Sequence, residues 1–231
     1  MEDYRYTADF LTIEDGVPTL TEVKGSYRLG SQGRAFTAFH EAGHATVSWL
    51  LKGASPLVKV TIIPRGKALG AAWYLPEERQ ITTKAQWLDE IAATLAGRVS
   101  EQIFFGHLST GALNDLERVT KMAYAMVAYY GMSKKIGPIS YYDSAGTRDT
   151  FTKPFSEQTA IAIDGEVRRI LEEAYARARE IIEANNDKIN QMADMLLDKE
   201  TIYSEDIESI LGPSAQSKKE AEEKKAENTQ T

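Results

Sequence analysis

Three long stretches of this chain repeat apolar residues at steps of three and four, and that spacing is the strongest constraint on what it can fold into. Following a Thr83/Gln86 pair in capping-box register, Leu88, Ile91, Ala92, Leu95, Ala96, Val99 and Ile103 keep helical periodicity. Leu116, Val119, Ala123, Met126, Val127 and Tyr130 do so again, with Asn114 placed as N-cap and Asp115 in the first turn. A third pattern covers residues 156–197 through Ile163, Val167, Ile170, Leu171, Ala174, Ile181 and Ile182, and "EANND" breaks it into a helical hairpin. Another helix is expected over residues 35–52, closed by Gly53 as a left-handed C-cap. Amphipathic stripes of this kind must be buried against one another, so the expected fold is mainly α.

Between the helices, "LVKVTIIP" and "GAAWYLP" are β-prone runs that each end in proline, and they predict a small sheet. Residues 1–33 mix aromatics, acids and glycines without helical spacing, which suggests short strands or a loosely docked extension of unknown role. The polar segment 131–154 reads as a long surface excursion. "SEDIESILG" predicts a short closing helix with Ser204 leading an imperfect capping box. Beyond Pro213 the charged tail has almost no apolar surface to bury and is expected to be disordered, which leaves residues 34–212 as the folded domain.

The 231 residues contain no cysteine, so disulfides and thiolate metal sites are excluded, and any metal must be held by His, Asp or Glu. A net charge of -7 and the lack of a basic, aromatic-bearing stripe argue against nucleic acid. No run approaches the roughly 18 apolar residues that span a bilayer, so the chain by itself is expected to be soluble. The phosphate-loop pattern is missing too, so no nucleotide site is expected in this chain.

"FHEAGHAT" places His40 and His44 four residues apart on the first of these helices, where both project from one face. Phe36, Val47 and Leu51 extend that stripe, and two unpaired imidazoles on an apolar face would be costly unless a metal were ligated. Zinc in catalytic sites takes three protein ligands and acidifies a water, and Glu41 beside the pair would accept that water's proton. Gly43 costs a helix about 1 kcal/mol relative to alanine, so close approach of another element is expected there. Spacing does not choose the third ligand. A third histidine six positions on is ruled out by Leu50, and His107, Glu101, Asp89, Glu90 and Asp115 all remain candidates. For Glu101 the default is a surface ion pair with Arg98, and for His107 an exposed loop position.

"AFHEAGHATVSWLL", "LVKVTIIPRGKALGAAWYLPEE", "ATLAGRVSEQIFFG" and "STGALNDLERVTKMAYAMVAYYGMS", with the later "FSEQTAIAIDGEV" and "LLDKETIYSEDIESILG", resemble in order and spacing the peptidase domain of the FtsH family, the ATP-dependent membrane-anchored zinc metalloproteases. The resemblance covers residues 35–212. It implies a helical metalloprotease domain with a small β-sheet beside the active-site helix and a C-terminal helical hairpin. One zinc ion per chain is implied, on His40, His44 and Asp115, with Glu41 as catalytic base. The strand containing Gly70, Ala71, Ala72, Trp73, Tyr74 and Leu75 is implied as the edge to which an extended substrate adds. The family further implies a homo-hexamer, an AAA+ ATPase module in the full-length protein, unfolded or membrane-protein substrates, and a place at the cytoplasmic face of a membrane. Residues 1–33 match neither the transmembrane nor the ATPase parts of that family, so ATP-driven unfolding is not assigned to this chain. The alternative is a proteolytically silent assembly or chaperone-like module, against which the intact His-Glu-x-x-His stands.

Overall fold

The structure, a computed structural model, describes residues 11–14, 17–20, 31–64, 70–74, 81–142 and 154–218. Two short strands near the start, β1 (Leu11–Glu14) and β2 (Val17–Leu20), pair antiparallel with Leu11 opposite Leu20. The helix of the histidine pair, α1 (Ser31–Leu50), is followed by β3 (Leu57–Thr61), β4 (Ala71–Tyr74), α2 (Lys84–Phe105) and α3 (Leu113–Ala128). Then come α4 (Glu157–Ala184), α5 (Asn186–Lys199), β5 (Thr201–Tyr203) and α6 (Ser204–Leu211). The fold is mainly α, with a small sheet beside α1 and a C-terminal helix pair broken at Asn185.

α1 is the centre of the domain, packed between α2 and α5, and the pairing with α2 rests on small residues. Ala38, Ala42 and Ala45 on α1 are fully buried, as are Ala92 and Ala96 on α2. At Gly43 an added Cβ would lie 2.7 Å from both the Ala96 carbonyl oxygen and Ser100 Cβ. The helical glycine therefore permits the close approach that its propensity cost called for. α4 lies along α2 and α3 through Ile163, Ile170, Ala174, Ala178 and Ile182, while α5 covers α1 with Ile189, Met192 and Leu196. The two helices of the pair thus bury their stripes on the central helices more than on each other.

Several local expectations are revised. Gly53 is not a left-handed cap; α1 ends at Leu50, and Gly53 is needed because its N–H donates to Asp89 Oδ2 at 2.8 Å where no Cβ would fit. The left-handed cap belongs to α2, at Gly106 with φ 71°. Asn114 lies inside α3, whose N-cap is Ala112, so its side chain caps nothing. α6 is capped from Tyr203, whose N–H donates to Asp206 Oδ2 at 3.1 Å, and Ser204 is the first helical residue. The capping box of α2 matches its prediction, with the Thr83 N–H donating to Gln86 Oε1 at 2.8 Å.

The sheet has the order β4-β3-β5, all antiparallel, with Val60 opposite Ala72 on one side and Ile202 on the other. β5 was not foreseen: "TIY" is too short to show alternation, and it pairs because Glu200, at φ 61°, turns the chain back from α5. Segment 131–142 is less of an excursion than expected. Buried Ser133 donates to Glu166 Oε2 on α4 at 2.7 Å, and the Tyr141 N–H returns to the Ala128 carbonyl. Beyond Pro213, residues 215–218 form a helical turn, and Gln216 donates to the Ala54 carbonyl. Among the described residues no helix is long and apolar enough to cross a membrane.

Candidate metal centre

α1 brings His40 Nε2 and His44 Nε2 to 3.0 Å from each other. The first turn of α3 places Asp115 Oδ2 at 3.4 Å from the former and 3.5 Å from the latter. The opposite side of each ring is anchored. His40 Nδ1 lies 2.7 Å from Glu101 Oε1, and His44 Nδ1 lies 2.9 Å from the Ala93 carbonyl oxygen. A carboxylate and a carbonyl can only accept from these nitrogens, so both Nδ1 atoms carry hydrogen and a neutral ring presents its lone pair at Nε2. With both rings neutral, two lone pairs and a carboxylate oxygen face one small space, an arrangement that a cation would satisfy. His40, His44 and Asp115 form the one group of three potential ligands found among the described residues, and this N/N/O donor set suits zinc.

Glycine again makes the geometry possible. A Cβ on Gly97 would lie 2.5 Å from His44 Nε2 and 2.6 Å from His40 Nε2, so the rings rest on bare α2 backbone. Gly97→Ala is expected to push both imidazoles aside, destabilising the fold by about 1–3 kcal/mol through overpacking. The same variant should lower zinc stoichiometry, checked by thermal melting and by metal analysis of the purified protein.

Glu101 is 1% exposed and does not pair with Arg98 at the surface, contrary to expectation. Besides His40, its Oε1 accepts from Ser109 Oγ and its Oε2 from the Ser109 N–H, both at 3.1 Å. Arg98 reaches the Ser109 carbonyl instead. Burial opposes ionisation of Glu101, but these hydrogen bonds outweigh it and hold the carboxyl below the usual range. Glu101 thereby orients His40 and ties it to the loop that delivers Asp115. The other candidates are engaged elsewhere. Exposed His107 stacks 5.7 Å from Phe36, Asp89 binds Gly53 and Arg177, and Glu90 binds Ser55 and Arg118.

Glu41 is buried, and a Cβ on Gly70 would lie 2.7 Å from its Oε1, so the backbone leading into β4 lies directly on this carboxyl. Burial pushes its pKa up, partly offset by His44 and His40. His40 is driven down by burial, but hydrogen bonds with Asp115 and Glu101 prevail and raise it to about 10 in the metal-free protein. The stabilisation from protonated His40 is therefore complete below its ordinary value of 6.5 and lost as pH rises through about 10. A metal must displace that proton. Zinc titration at pH 7 in buffers of different ionisation heat is expected to release about one proton per site, and no release would contradict the assignment of His40.

The group lies in a cleft of about 600 Å³ lined on one side by Gly70, Ala71, Ala72 and Tyr74. Trp73 turns to the other face, under Lys59 Nζ at 5.0 Å, and Leu75 falls outside the described residues.

Fold and site together define a metallopeptidase class, a helical domain with a His-Glu-x-x-His helix and a carboxylate arriving from a distant segment. The chain belongs to peptidase family M41, whose family model matches residues 28–210. It is 56% identical over 90% of its length to the ATP-dependent zinc metalloprotease FtsH of Parabacteroides distasonis and 50% identical over 80% to that of Rhodothermus marinus. Identity is 45% over 83% to an m-AAA protease component of the mitochondrial inner membrane in Mus musculus. The chain spans 30%, 27% and 24% of the lengths of these three relatives.

Proposed function

We propose that this chain is the zinc-dependent endopeptidase module of an FtsH-like ATP-dependent protease, hydrolysing peptide bonds in extended or unfolded polypeptides. The observation that carries this reading is the convergence of two Nδ1-anchored imidazoles on the Asp115 carboxylate beside buried Glu41. His40, His44 and Asp115 would hold one zinc ion, which when bound would supply a Lewis acid that polarises the scissile carbonyl and acidifies water.

Glu41 accepts the proton of the attacking water on its carboxylate and passes it to the departing amine nitrogen. Burial raises its affinity for protons above that of an ordinary glutamate, the direction a proton acceptor needs. Among the described residues β4 pairs on one side only, with β3, and an extended peptide adding along its other edge would be held by main-chain hydrogen bonds with little demand on sequence. Gly70, Ala71, Ala72, Trp73 and Tyr74, continued by Leu75, are assigned that role. An AAA+ ATPase module in the full-length protein is supported by the names of the relatives, which are ATP-dependent metalloproteases and an m-AAA protease component. A homo-hexamer, quality-control substrates and a position at the cytoplasmic membrane face complete the reading on the family resemblance alone.

The test is direct. Protein supplied with zinc should bind one equivalent and cleave unfolded casein, and a chelator should abolish cleavage until zinc is restored. Metal content near zero after zinc supply would overturn the proposal.

A further inference from the structure

The two ends of the cleft differ in chemistry. α2 runs antiparallel to α1, since His40 meets Glu101 while His44 meets Ala93, and α3 runs antiparallel to α2, since Ser109 meets Arg98 while Arg118 meets Glu90. Continuing along α1 past His44 leads to Ser48, whose Oγ is 3.2 Å from the Tyr74 hydroxyl. Following α3 past Asp115 leads to Arg118, and going back along α2 leads to buried Thr94 and then Glu90. This end is polar and carries the Arg118–Glu90 ion pair. At the other end stand Phe36 and Leu113, both apolar.

Arg118 is the one arginine or lysine among the described residues that line the cleft. Glu90 Oε1 accepts from its Nη2 at 2.5 Å, and Glu90 is itself fixed through Oε2 by the Ser55 N–H at 3.1 Å. That grip holds one amino group of the guanidinium, and its Nε and Nη1 make no hydrogen bond to the described residues. The side chain is 52% exposed. A guanidinium steadied in this way presents its remaining N–H groups in one plane as charge-assisted donors to a carboxylate. The remaining ionisable side chains of the cleft wall, apart from the histidines and Tyr74, are Glu41, Glu101 and Asp115, all carboxyl groups that offer an acidic side chain no cationic partner.

Resting on the peptidase reading above, we propose that the Arg118 end of the cleft is a subsite for an acidic substrate side chain, with the Tyr74 hydroxyl beside it. Arg118 follows Asp115 by about one helical turn, roughly 5 Å, and an extended peptide advances about 3.3 Å per residue. The acidic residue therefore stands within two positions of the scissile bond. Binding along β4 is indifferent to sequence, and this contact supplies selectivity that the strand lacks.

Zinc-loaded full chain is assayed with fluorogenic peptides that differ only by Glu, Gln or Lys at each of two positions on either side of the cleavage site. At one position kcat/KM for the Glu peptide is expected to exceed that for the Gln peptide by roughly five- to tenfold, with the Lys peptide lowest. Arg118→Gln should bring the Glu/Gln ratio close to one, and Arg118→Glu should reverse the order of Glu and Lys. Arg118→Lys, which keeps the charge and loses the planar guanidinium donors, should give an intermediate ratio and serves if the glutamine variant melts early. In parallel, fluorescence anisotropy of the same peptides on zinc-loaded Glu41→Gln protein reads the subsite without cleavage. Equal kcat/KM and equal Kd for Glu and Gln at every position would overturn the proposal, as would an Arg118→Gln variant that slows all peptides alike with the ratio unchanged. If nothing is cleaved yet the acidic preference in Kd persists and depends on Arg118, the subsite stands and the peptidase reading fails. Cleavage without any preference has the opposite meaning.

Discussion

Glu41→Gln is expected to leave the protein folded and zinc-loaded while casein cleavage falls by about 10³-fold, within the range that general acid–base catalysis contributes. Glutamine matches the carboxylate in shape, so the close contact with Gly70 is preserved and the rings of His40 and His44 need not move. What disappears is the group that can take a proton from water and return it to an amine. Because burial already pushes Glu41 toward its neutral form, the neutral amide adds no desolvation cost. The variant therefore separates chemistry from stability. Initial rates on unfolded casein, with metal content and thermal melting measured on the same preparation, check it. Undiminished cleavage at full zinc occupancy would mean that another group is the base, and a loss of zinc would mean that Glu41 supports the metal as well.

Residues whose role follows from local spacing were readable in the sequence. The helical stripes of α2, α3 and α4 are periodic over several turns, and the face shared by His40 and His44 follows from helix geometry alone. Spacing could not supply the partner from another segment. Asp115 and His107 stand equally plausibly beside the "STGALN" stretch in one dimension, and it is the packing of α3 on α2 that turns the first toward the rings and leaves the second stacked on Phe36. Glu101 illustrates the same limit. Its i−3 neighbour Arg98 suggests a surface pair, yet α2 presents this position to α1, where His40 Nδ1 needs an acceptor. A signal was present in Gly97, four residues earlier on the same face as Glu101, because a glycine inside an otherwise good helix marks the approach of another group. β5 had no such signal, since three residues carry too little pattern to distinguish a strand from a loop.

The choice between Asp115 and His107 leads to the second large effect. Asp115→Ala is expected to reduce bound zinc to well below one equivalent and to abolish hydrolysis, whereas His107→Ala should retain both. The asymmetry has a geometric basis. Asp115 Oδ2 sits within 3.5 Å of both ring nitrogens, its side chain is only 25% exposed, and the adjacent imidazoles outweigh its burial and hold the carboxyl well below the usual carboxylate range. Alanine there leaves two imidazoles with no anionic partner beyond Glu101, and also removes a carboxylate from the first turn of α3, where the helix dipole favours it by about 0.3–1 kcal/mol. His107 meanwhile donates within its own loop, to the Phe105 carbonyl at 2.8 Å, and its loss costs ring contacts with Phe36 and Phe105 but no ligand. Metal analysis after dialysis against a weak chelator, paired with casein cleavage, distinguishes the two variants. Retention of zinc by Asp115→Ala together with its loss from His107→Ala would require the loop after α2 to rearrange around the metal, and Glu101, which binds that loop through Ser109, would then be the residue holding the wrong conformation in place.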